Sequence, residues 1–388
     1  MTKPPRKQRR SAHAAVASPA PKFAPEPDAS VSFAARLLAW WDVHGRKDLP
    51  WQSNRSAYRV WVSEIMLQQT QVATVVGYFQ RFMARFPDVE SLAAASQDEV
   101  LHHWAGLGYY ARGRNLHRAA QTICTQFNAE LPATTAELAA LPGIGRSTAN
   151  AIDALARDGR SPILDGNVKR VLARWRGVAG WPGNSDVEAR LWEISADVLP
   201  TERLADYTQA IMDLGATVCK RSRPDCSNCP VNEDCIAALT QQTSTLPTAR
   251  PKRELPEREI SMWVVMCEGA TLLQLRPPTG IWGGLWAFPE SPTLAPEAIH
   301  ERQALLEQLG LGRVLQEPPT PLPTFTHVFT HFRLRIEPLL VQLPRSISEQ
   351  YQRLAEPDQF MWYRGGDQRV GLSAVVARVL EQLRHGSA

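Results

Sequence analysis

Residues 141–170, LPGIGRSTANAIDALARDGRSPILDGNVKR, constrain the fold more than any other stretch of the chain. Pro142 cannot continue a helix that begins upstream. Gly143 and Gly145 can take positive φ and let another backbone approach closely. The segment reads as a tight turn opening a second helix, with the amides of Ile144, Gly145 and Arg146 directed outward at its N-terminus. Such a helix end is a ready phosphate site. Further along, Leu164-Asp165-Gly166-Asn167 places a carboxylate in a turn before another helix start. A phosphate grip followed by a lone carboxylate suggests chemistry on a nucleic acid. The alternative is a helix–turn–helix in which Asp165 is only a turn or cap residue, since Asp-Gly is common in turns.

Length allows two domains, because 388 residues can bury two sizeable cores. No apolar run reaches the ~18 residues of a membrane span. The N-terminus is basic but lacks the apolar stretch of a secretory signal. A cytoplasmic protein without a membrane partner is the expectation. The formal charge of +4 equals that of residues 1–30 alone, so the rest of the chain is formally neutral. Nucleic-acid affinity in the body must then come from local patches and helix N-termini. Residues 1–30, rich in Pro, Ala, Lys and Arg and without periodicity, read as a disordered basic tail. The tail either adds weak, salt-sensitive DNA attraction or has no role.

Residues 31–236 carry helical patterning and no convincing strand, which predicts an all-α domain. Ser32 can cap the first helix, Gly45 ends it, and Leu49-Pro50-Trp51 forms a loop. Residues 58–86 suggest two helices broken near Gly77, while Ser96 to Glu99 and Thr134 to Glu137 are capping-box patterns. No fixed repeat is present. Residues 237–257 turn polar and proline-bearing, a linker with a basic portion at Arg250, Lys252 and Arg253. Within residues 258–388, segments 260–267 and 271–275 read as strands around a Glu-Gly turn, 292–309 as a helix, 325–343 as a long strand or hairpin, and 373–383 as a helix. This second domain is α+β.

Four of the six cysteines, Cys219, Cys226, Cys229 and Cys235, form a C-x6-C-x2-C-x5-C pattern. Four thiolates in one short loop of a cytoplasmic protein argue for a metal centre rather than disulfides. Zinc would also accept four thiolates, although zinc ribbons usually pair two CxxC knuckles and this loop has one. Cys124 and Cys267 sit in apolar patterns and read as buried, unreactive thiols.

These motifs carry a resemblance. LPGIGRSTAN resembles the helix-hairpin-helix of the endonuclease III superfamily of DNA glycosylases, and LDGNVKRVLAR its catalytic-aspartate segment. SEIMLQQTQV is similar to the helix of the MutY-type adenine mismatch glycosylases whose glutamate protonates adenine. The likeness runs from about Phe33 to the C-terminal region. It implies that the cysteine loop holds a [4Fe–4S] cluster, with Lys220, Arg221 and Arg223 presenting a basic loop to DNA phosphates. The order strand, strand, GIWGGLWAFPE, helix resembles a Nudix fold. Its HERQALLEQLG segment keeps only Glu301 and Glu307, wrongly spaced for a hydrolase site. The resemblance therefore implies a Nudix-like domain that helps to read 8-oxoguanine.

Breaking an N-glycosidic bond to adenine requires protonation of the leaving base and stabilisation of the sugar cation, which two carboxylates in contrasting settings can supply. Asp165 stands at a helix N-terminus, where the dipole favours its ionised form. Glu64 lies in RVWVSEIML, a segment apolar nearly all round, where an acid resists ionisation. The alternative for Glu64 is a residue that reaches solvent or pairs with a core Arg. Gln68, Gln69 and Gln71 follow it, and Gln can pair with adenine edges or fill the space of a flipped base. By resemblance, Gln69 and Tyr109 wedge into the duplex, Trp51 walls the adenine pocket, and Phe329-Thr330-His331 contacts 8-oxoguanine, with Thr replacing the family Ser. Tyr109 and Tyr110 could equally be packing residues. Gln52 stands where the family frequently has Arg, and Asn167 orients Asp165 or caps its helix. His327 and His331 are a weak candidate for a metal pair. The lyase relatives carry a nucleophilic Lys where this chain has Ser147, which implies an enzyme that does not cut the strand. The expected partner is double-stranded DNA with adenine opposite 8-oxoguanine or guanine, bound by a monomer, with Gly143, Gly145 and Ser147 at the backbone. Competing expectations are an endonuclease III-like glycosylase/lyase for oxidised pyrimidines, a non-catalytic iron–sulfur protein, and a Nudix hydrolase.

Overall fold

The computed structural model describes residues 32–251, 254–291, 304–305, 307, 309, 318–344, 359–365, 368 and 370–385. The basic tail, Lys252, Arg253 and most of the expected 292–309 helix lie outside the described residues.

Every described element before residue 240 is helical. Helix α1 (Phe33–His44) starts where the Ser32 hydroxyl accepts from the amide of Ala35 at 3.2 Å, and stops at Gly45. Next come α2 (Ala57–Leu67) and α3 (Val72–Arg85), so the break falls at 68–71 and Gly77 lies inside α3. The expectation of a break at Gly77 is thus corrected. The actual break has no Gly or Pro, and the left-handed Gln69 (φ 58°) is held by long-range bonds described below.

Helix α4 (Val89–Ala94) opens on a capping box between Asp88 and Ser91 that the sequence reading missed. Helix α5 (Gln97–Trp104) has only half of its expected box, Ser96 accepting from Glu99. Helix α6 (Ala111–Gln126) precedes α7 (Thr135–Ala140), whose box with Thr134 and Glu137 is complete. Then follow α8 (Arg146–Arg157), α9 (Gly166–Trp175), α10 (Ser185–Asp197) and α11 (Leu204–Asp213). A π-helical turn (Leu214–Val218) leads from α11 into the cysteine loop and α12 (Ile236–Leu239).

Helix α2 runs through the core. Val60, Trp61, Val62, Ile65 and Met66 are all buried, in one cluster with Ile152 of α8 and Val168 of α9. Burying each such side chain stabilises the fold by roughly 1.5–3 kcal/mol. This packing sets the backbone on which Glu64 and Asp165 are carried. Among the described residues no helix is long and apolar enough to cross a membrane.

The second half is a mixed sheet with one helix described in full. Strands β1 (Glu257–Cys267) and β2 (Ala270–Leu275) form the expected hairpin. Glu268 and Gly269 both take positive φ, as a two-residue turn of this hand requires. The short strands β3 (Trp286–Ala287), β4 (Glu290–Ser291) and β5 (Thr320–Pro321) precede β6 (Phe325–Val328) and β7 (Arg333–Gln342), so the long strand or hairpin expected at 325–343 is a hairpin. Strand β8 (Phe360–Tyr363) and α13 (Ala374–His385) complete the chain. The order is β3-β2-β1-β7-β5, with β4 on β1, β6 on β7 and β8 on β2. Among the described strands, β1 and β7 run parallel to each other, from Glu257 opposite Arg333 to Met266 opposite Gln342.

Alternate residues of β1 serve two apolar layers. Met262 and Val264 pack with Val375 and Val379 of α13, while Trp263 and Val265 face the layer with Leu339 and Val341. Leu101 of α5 enters the first layer, so the sheet shares a core with the helical half. Arg114 donates to the Gly283 carbonyl, and the Trp286 indole donates to Asp98 at 3.3 Å, across the same boundary. The 237–257 segment is likewise anchored, since buried Arg174 donates to the Leu246 carbonyl at 2.8 Å.

Candidate active site and nucleic-acid interface

The hairpin turn differs from expectation in two details. Gly143 takes φ +80°, and a Cβ there would meet the Asn115 Cβ at 2.8 Å, so glycine is required. Gly145 is extended (φ −91°) with nothing within 4 Å of a Cβ position. The Ile144 amide is consumed internally by the Leu141 carbonyl at 3.2 Å. The open amides are therefore those in the first turn of α8, whose N-cap Gly145 offers no side-chain cap. The Ser147 hydroxyl accepts from the Leu164 amide at 3.0 Å, which ties the hairpin to the segment ahead of Asp165.

Asp165 is itself the N-cap of α9. Its Oδ1 accepts from the Val168 amide at 2.8 Å, and the Asn167 amide also donates to it. The Asn167 side chain does not orient Asp165 as expected; its Oδ1 accepts from Arg170 at 2.7 Å. Burial raises the Asp165 pKa, while the two amide bonds and the nearby Arg170 and Lys169 charges oppose that rise. The expectation that the helix end leaves Asp165 readily ionised is corrected, since desolvation outweighs the amides. Glu64, on α2, makes no hydrogen bond among the described residues. Burial first, and the charge of Asp165 second, push it up to about 8. Both carboxyls resist ionisation, but only Asp165 has donors that favour its charged form.

Two residues are expected to enter the duplex. Gln69 (φ 58°) and Tyr109 (φ 48°) are both left-handed and exposed, Tyr109 at 49%. Gln68 Nε2 reaches Thr148 Oγ1 at 3.4 Å, on the first turn of α8. Trp51, expected to wall the adenine pocket, is buried and edge-on to Phe79 at 5.6 Å. Gln52 closes its own loop: Nε2 donates to the Arg46 carbonyl at 2.9 Å, and Oε1 accepts from the Leu49 amide.

Cys219 ends the π-helical turn, Cys226 begins a short 3-10 turn (Cys226–Asn228), and Cys235 caps α12. Among the described residues no group of three or more His, Cys, Asp or Glu stands in a metal-binding arrangement. None of the four thiols is in a disulfide. Burial raises Cys226, Cys229 and Cys235, with Cys229 pushed up to about 12, and each of the three also feels the charge of Cys219. Four soft sulfurs are the donor chemistry of a thiolate-bound cluster, which would deprotonate them on binding. Arg174 donates to Cys219 Sγ at 3.4 Å and to the Lys220 and Arg221 carbonyls at 2.7 and 3.1 Å. Of the other two cysteines, Cys267 is buried as expected and Cys124 only half-buried.

In the second half, Phe329-Thr330-His331 is the tip of the β6–β7 hairpin, closed by the Phe329 amide on the Phe332 carbonyl at 2.9 Å. Phe329 stacks on Phe332 (4.6 Å, 20°) and lies 5.5 Å from Trp282, while Thr330 and His331 are exposed. His327 sits against Trp282 and Phe329, and burial lowers its pKa, an aromatic packing role.

The profile of the HhH-GPD superfamily of base excision DNA repair proteins matches residues 62–196, and that of the NUDIX domain matches residues 261–382. The adenine DNA glycosylase of Buchnera aphidicola (subsp. Acyrthosiphon pisum) is 35% identical over 91% of this chain and 97% of its own. The chain belongs to the adenine DNA glycosylase family. The Rattus norvegicus and Homo sapiens adenine DNA glycosylases are 38% and 36% identical over 78% of this chain, and over 69% and 65% of their own lengths. A solved thermostable thymine-DNA glycosylase aligns with 54% of this chain and 95% of its own, at 23% identity and a TM-score of 0.48.

Three arginines of this adenine DNA glycosylase family member escaped the sequence reading. Arg170 donates to the Cys219 and Gly215 carbonyls at 2.7 and 2.6 Å, and with Arg174 binds the cysteine loop to the helix that Asp165 caps. Gly215 admits this approach, because a Cβ there would meet the Asn167 Cβ at 2.6 Å. Arg112 is buried at the start of α6 and donates to two separate loops. The i, i+4 spacing of Arg170 and Arg174 was a usable signal, since both point to one face of α9. Arg112 had none.

Proposed function

We propose that this chain hydrolyses the N-glycosidic bond of adenine paired with 8-oxoguanine or guanine in duplex DNA, acting as a monomer and leaving the strand intact. The observation that carries the reading is the pair of carboxyls with opposite surroundings: Glu64 without a hydrogen-bond donor, Asp165 with two backbone amides. Glu64 donates its proton to the leaving adenine as general acid. Asp165 faces the sugar, where its two amide donors and the Arg170 and Lys169 charges offset part of its desolvation, and it stabilises the oxocarbenium ion or forms a transient adduct with it. Water completes the hydrolysis. Ser147 offers no amine to form an imine, and Lys169 is held by Glu188 at 2.6 Å. That pairing favours simple hydrolysis over the lyase reading.

The first turn of α8 grips the DNA backbone, Gln69 and Tyr109 fill the gap left by the extruded adenine, and Thr330 and His331 read the opposite base. In this reading residues 31–236 are the catalytic domain, 237–257 the link and 258–388 the reading domain. Cys219, Cys226, Cys229 and Cys235 would hold a [4Fe–4S] cluster, which supplies a cross-link that rigidifies the basic loop. Arg170 and Arg174 bind that loop to α9. A cytoplasmic, DNA-associated protein follows from this role. The test is release of adenine from an adenine:8-oxoguanine duplex, with strand breakage scored with and without alkali. Breaks that appear only after alkali support the reading, and an uncleaved duplex under both conditions contradicts it.

A further inference from the structure

A single side chain joins the segments beside both the catalytic acid and the duplex-entering residues. Arg112 Nη1 donates to the carbonyls of Ile65, Met66 and Gln68 at 2.9, 2.9 and 2.5 Å. Its Nη2 donates to Thr70 Oγ1 and to the Leu107 and Gly108 carbonyls at 3.1, 3.3 and 3.1 Å. Ile65 and Met66 close the helix that carries Glu64, where the last carbonyls lack intrahelical partners. Gln68 and Thr70 flank Gln69, while Leu107 and Gly108 lead into Tyr109. The guanidinium carbon lies 5.5 Å from the ring centres of both Trp104 and Tyr109.

Gln69 and Tyr109 are neither glycine nor asparagine, yet both hold positive φ. Side chains with a Cβ disfavour that region, so each would relax toward ordinary backbone unless its neighbours fixed it. The carbonyls adjacent to these two residues are the ones that Arg112 holds. We propose that Arg112 is a positioning residue that locks Gln69 and Tyr109 in their inserting conformations and fixes both against the end of the Glu64 helix. The planar, forked guanidinium serves both loops at once. A lysine ammonium, compact and with three donors, cannot span them. This proposal rests on the reading of Gln69 and Tyr109 as the groups that enter the duplex. It adds a second requirement for excision: the acid and the wedge must move as one body.

The experiment compares wild type, Arg112→Lys, Arg112→Gln, Tyr109→Ala and Arg112→Lys/Tyr109→Ala in the full chain, with folding checked by thermal melts. Hydrogen exchange on the peptides covering residues 65–70 and 106–110 reads the clamp without reference to activity. Both peptides should exchange faster in the Arg112 variants while the cysteine loop is unchanged. Single-turnover excision on adenine:8-oxoguanine duplex should fall about 30- to 100-fold in Arg112→Lys, as expected when reacting groups lose their alignment. The alkaline limb set by Glu64 should stay in place. In the Tyr109→Ala background, Arg112→Lys should cost at least about threefold less than it does in wild type, because the part of its function that acts through Tyr109 is shared. A merely structural arginine would give additive losses. Unchanged exchange in both peptides, or additive losses, overturns the proposal. Wild type that releases no adenine would instead overturn the functional reading, and the exchange result would still decide whether the clamp exists.

Discussion

The sharpest consequence of the site concerns the proton on Glu64. Its carboxyl is pushed from an ordinary 4.5 up to about 8 by burial and by the charge of Asp165. At pH 7 a group titrating at about 8 is about nine-tenths protonated, against roughly three in a thousand at 4.5, a gain of about 300-fold in competent acid. Excision should therefore be level near neutral pH and fall about tenfold per pH unit above about 8. Glu64→Gln should remove that limb and lower the single-turnover rate by about 10²–10⁴.

Stability should move with the same group. A raised carboxyl pKa means that the folded state binds the proton more tightly. Its stabilising effect is full below about 4.5 and is lost as pH rises to about 8. Above that pH, Glu64→Gln should be more stable than wild type, on the order of a few kcal/mol. The assays are quench-flow excision across pH and a ¹³C titration of the labelled Glu64 carboxyl, whose midpoint should drop in Asp165→Asn. A Glu64 midpoint near 4.5, or a rate profile flat through pH 9, would refute the reasoning.

Three further outcomes are expected. Purified protein should be brown and contain iron with inorganic sulfide; stoichiometric zinc without iron in anaerobically prepared protein would contradict the cluster. Thr330→Ala and His331→Ala, both at exposed positions, should leave adenine excision opposite guanine nearly intact and reduce the preference for 8-oxoguanine about tenfold, checked by rates on paired duplexes. Ser147→Lys should create alkali-free nicking, read by borohydride trapping, while Lys169→Ala leaves the wild-type product unbroken.

The sequence made the helical half legible because capping residues and apolar spacing act locally. Ser32 and Thr134 cap their helices as read. That Glu64 sits among apolar neighbours was legible in RVWVSEIML, but its choice as the acid came from the resemblance carried by SEIMLQQTQV. What the sequence concealed depends on distant groups. The break at 68–71 carries no Gly or Pro and is held by Arg112, more than forty residues away in the chain. The Asp165 environment was misjudged because a dipole can be inferred from position, whereas desolvation depends on what packs above the helix end. Asn167 looked like a partner for Asp165, but Arg170, one turn further on, takes its side chain. Strand β1 begins at Glu257, ahead of its apolar run, because β7 pairs with it in parallel from Arg333 onward, and that pairing leaves no local trace.

In the proposed mechanism Glu64 supplies the proton and Asp165 the charge, and each role is read from one comparison. Single-turnover adenine release from an adenine:8-oxoguanine duplex at pH 7 should be compared among wild type, Glu64→Gln and Asp165→Asn, with duplex binding measured in parallel. Both variants should bind within a few-fold of wild type, roughly a kcal/mol, because the phosphate grip at the start of α8 is untouched. Both should lose nearly all excision. Near-normal release by either variant would remove that residue from the mechanism, and loss of binding in step with release would show that the carboxyls hold the DNA instead of cutting the bond.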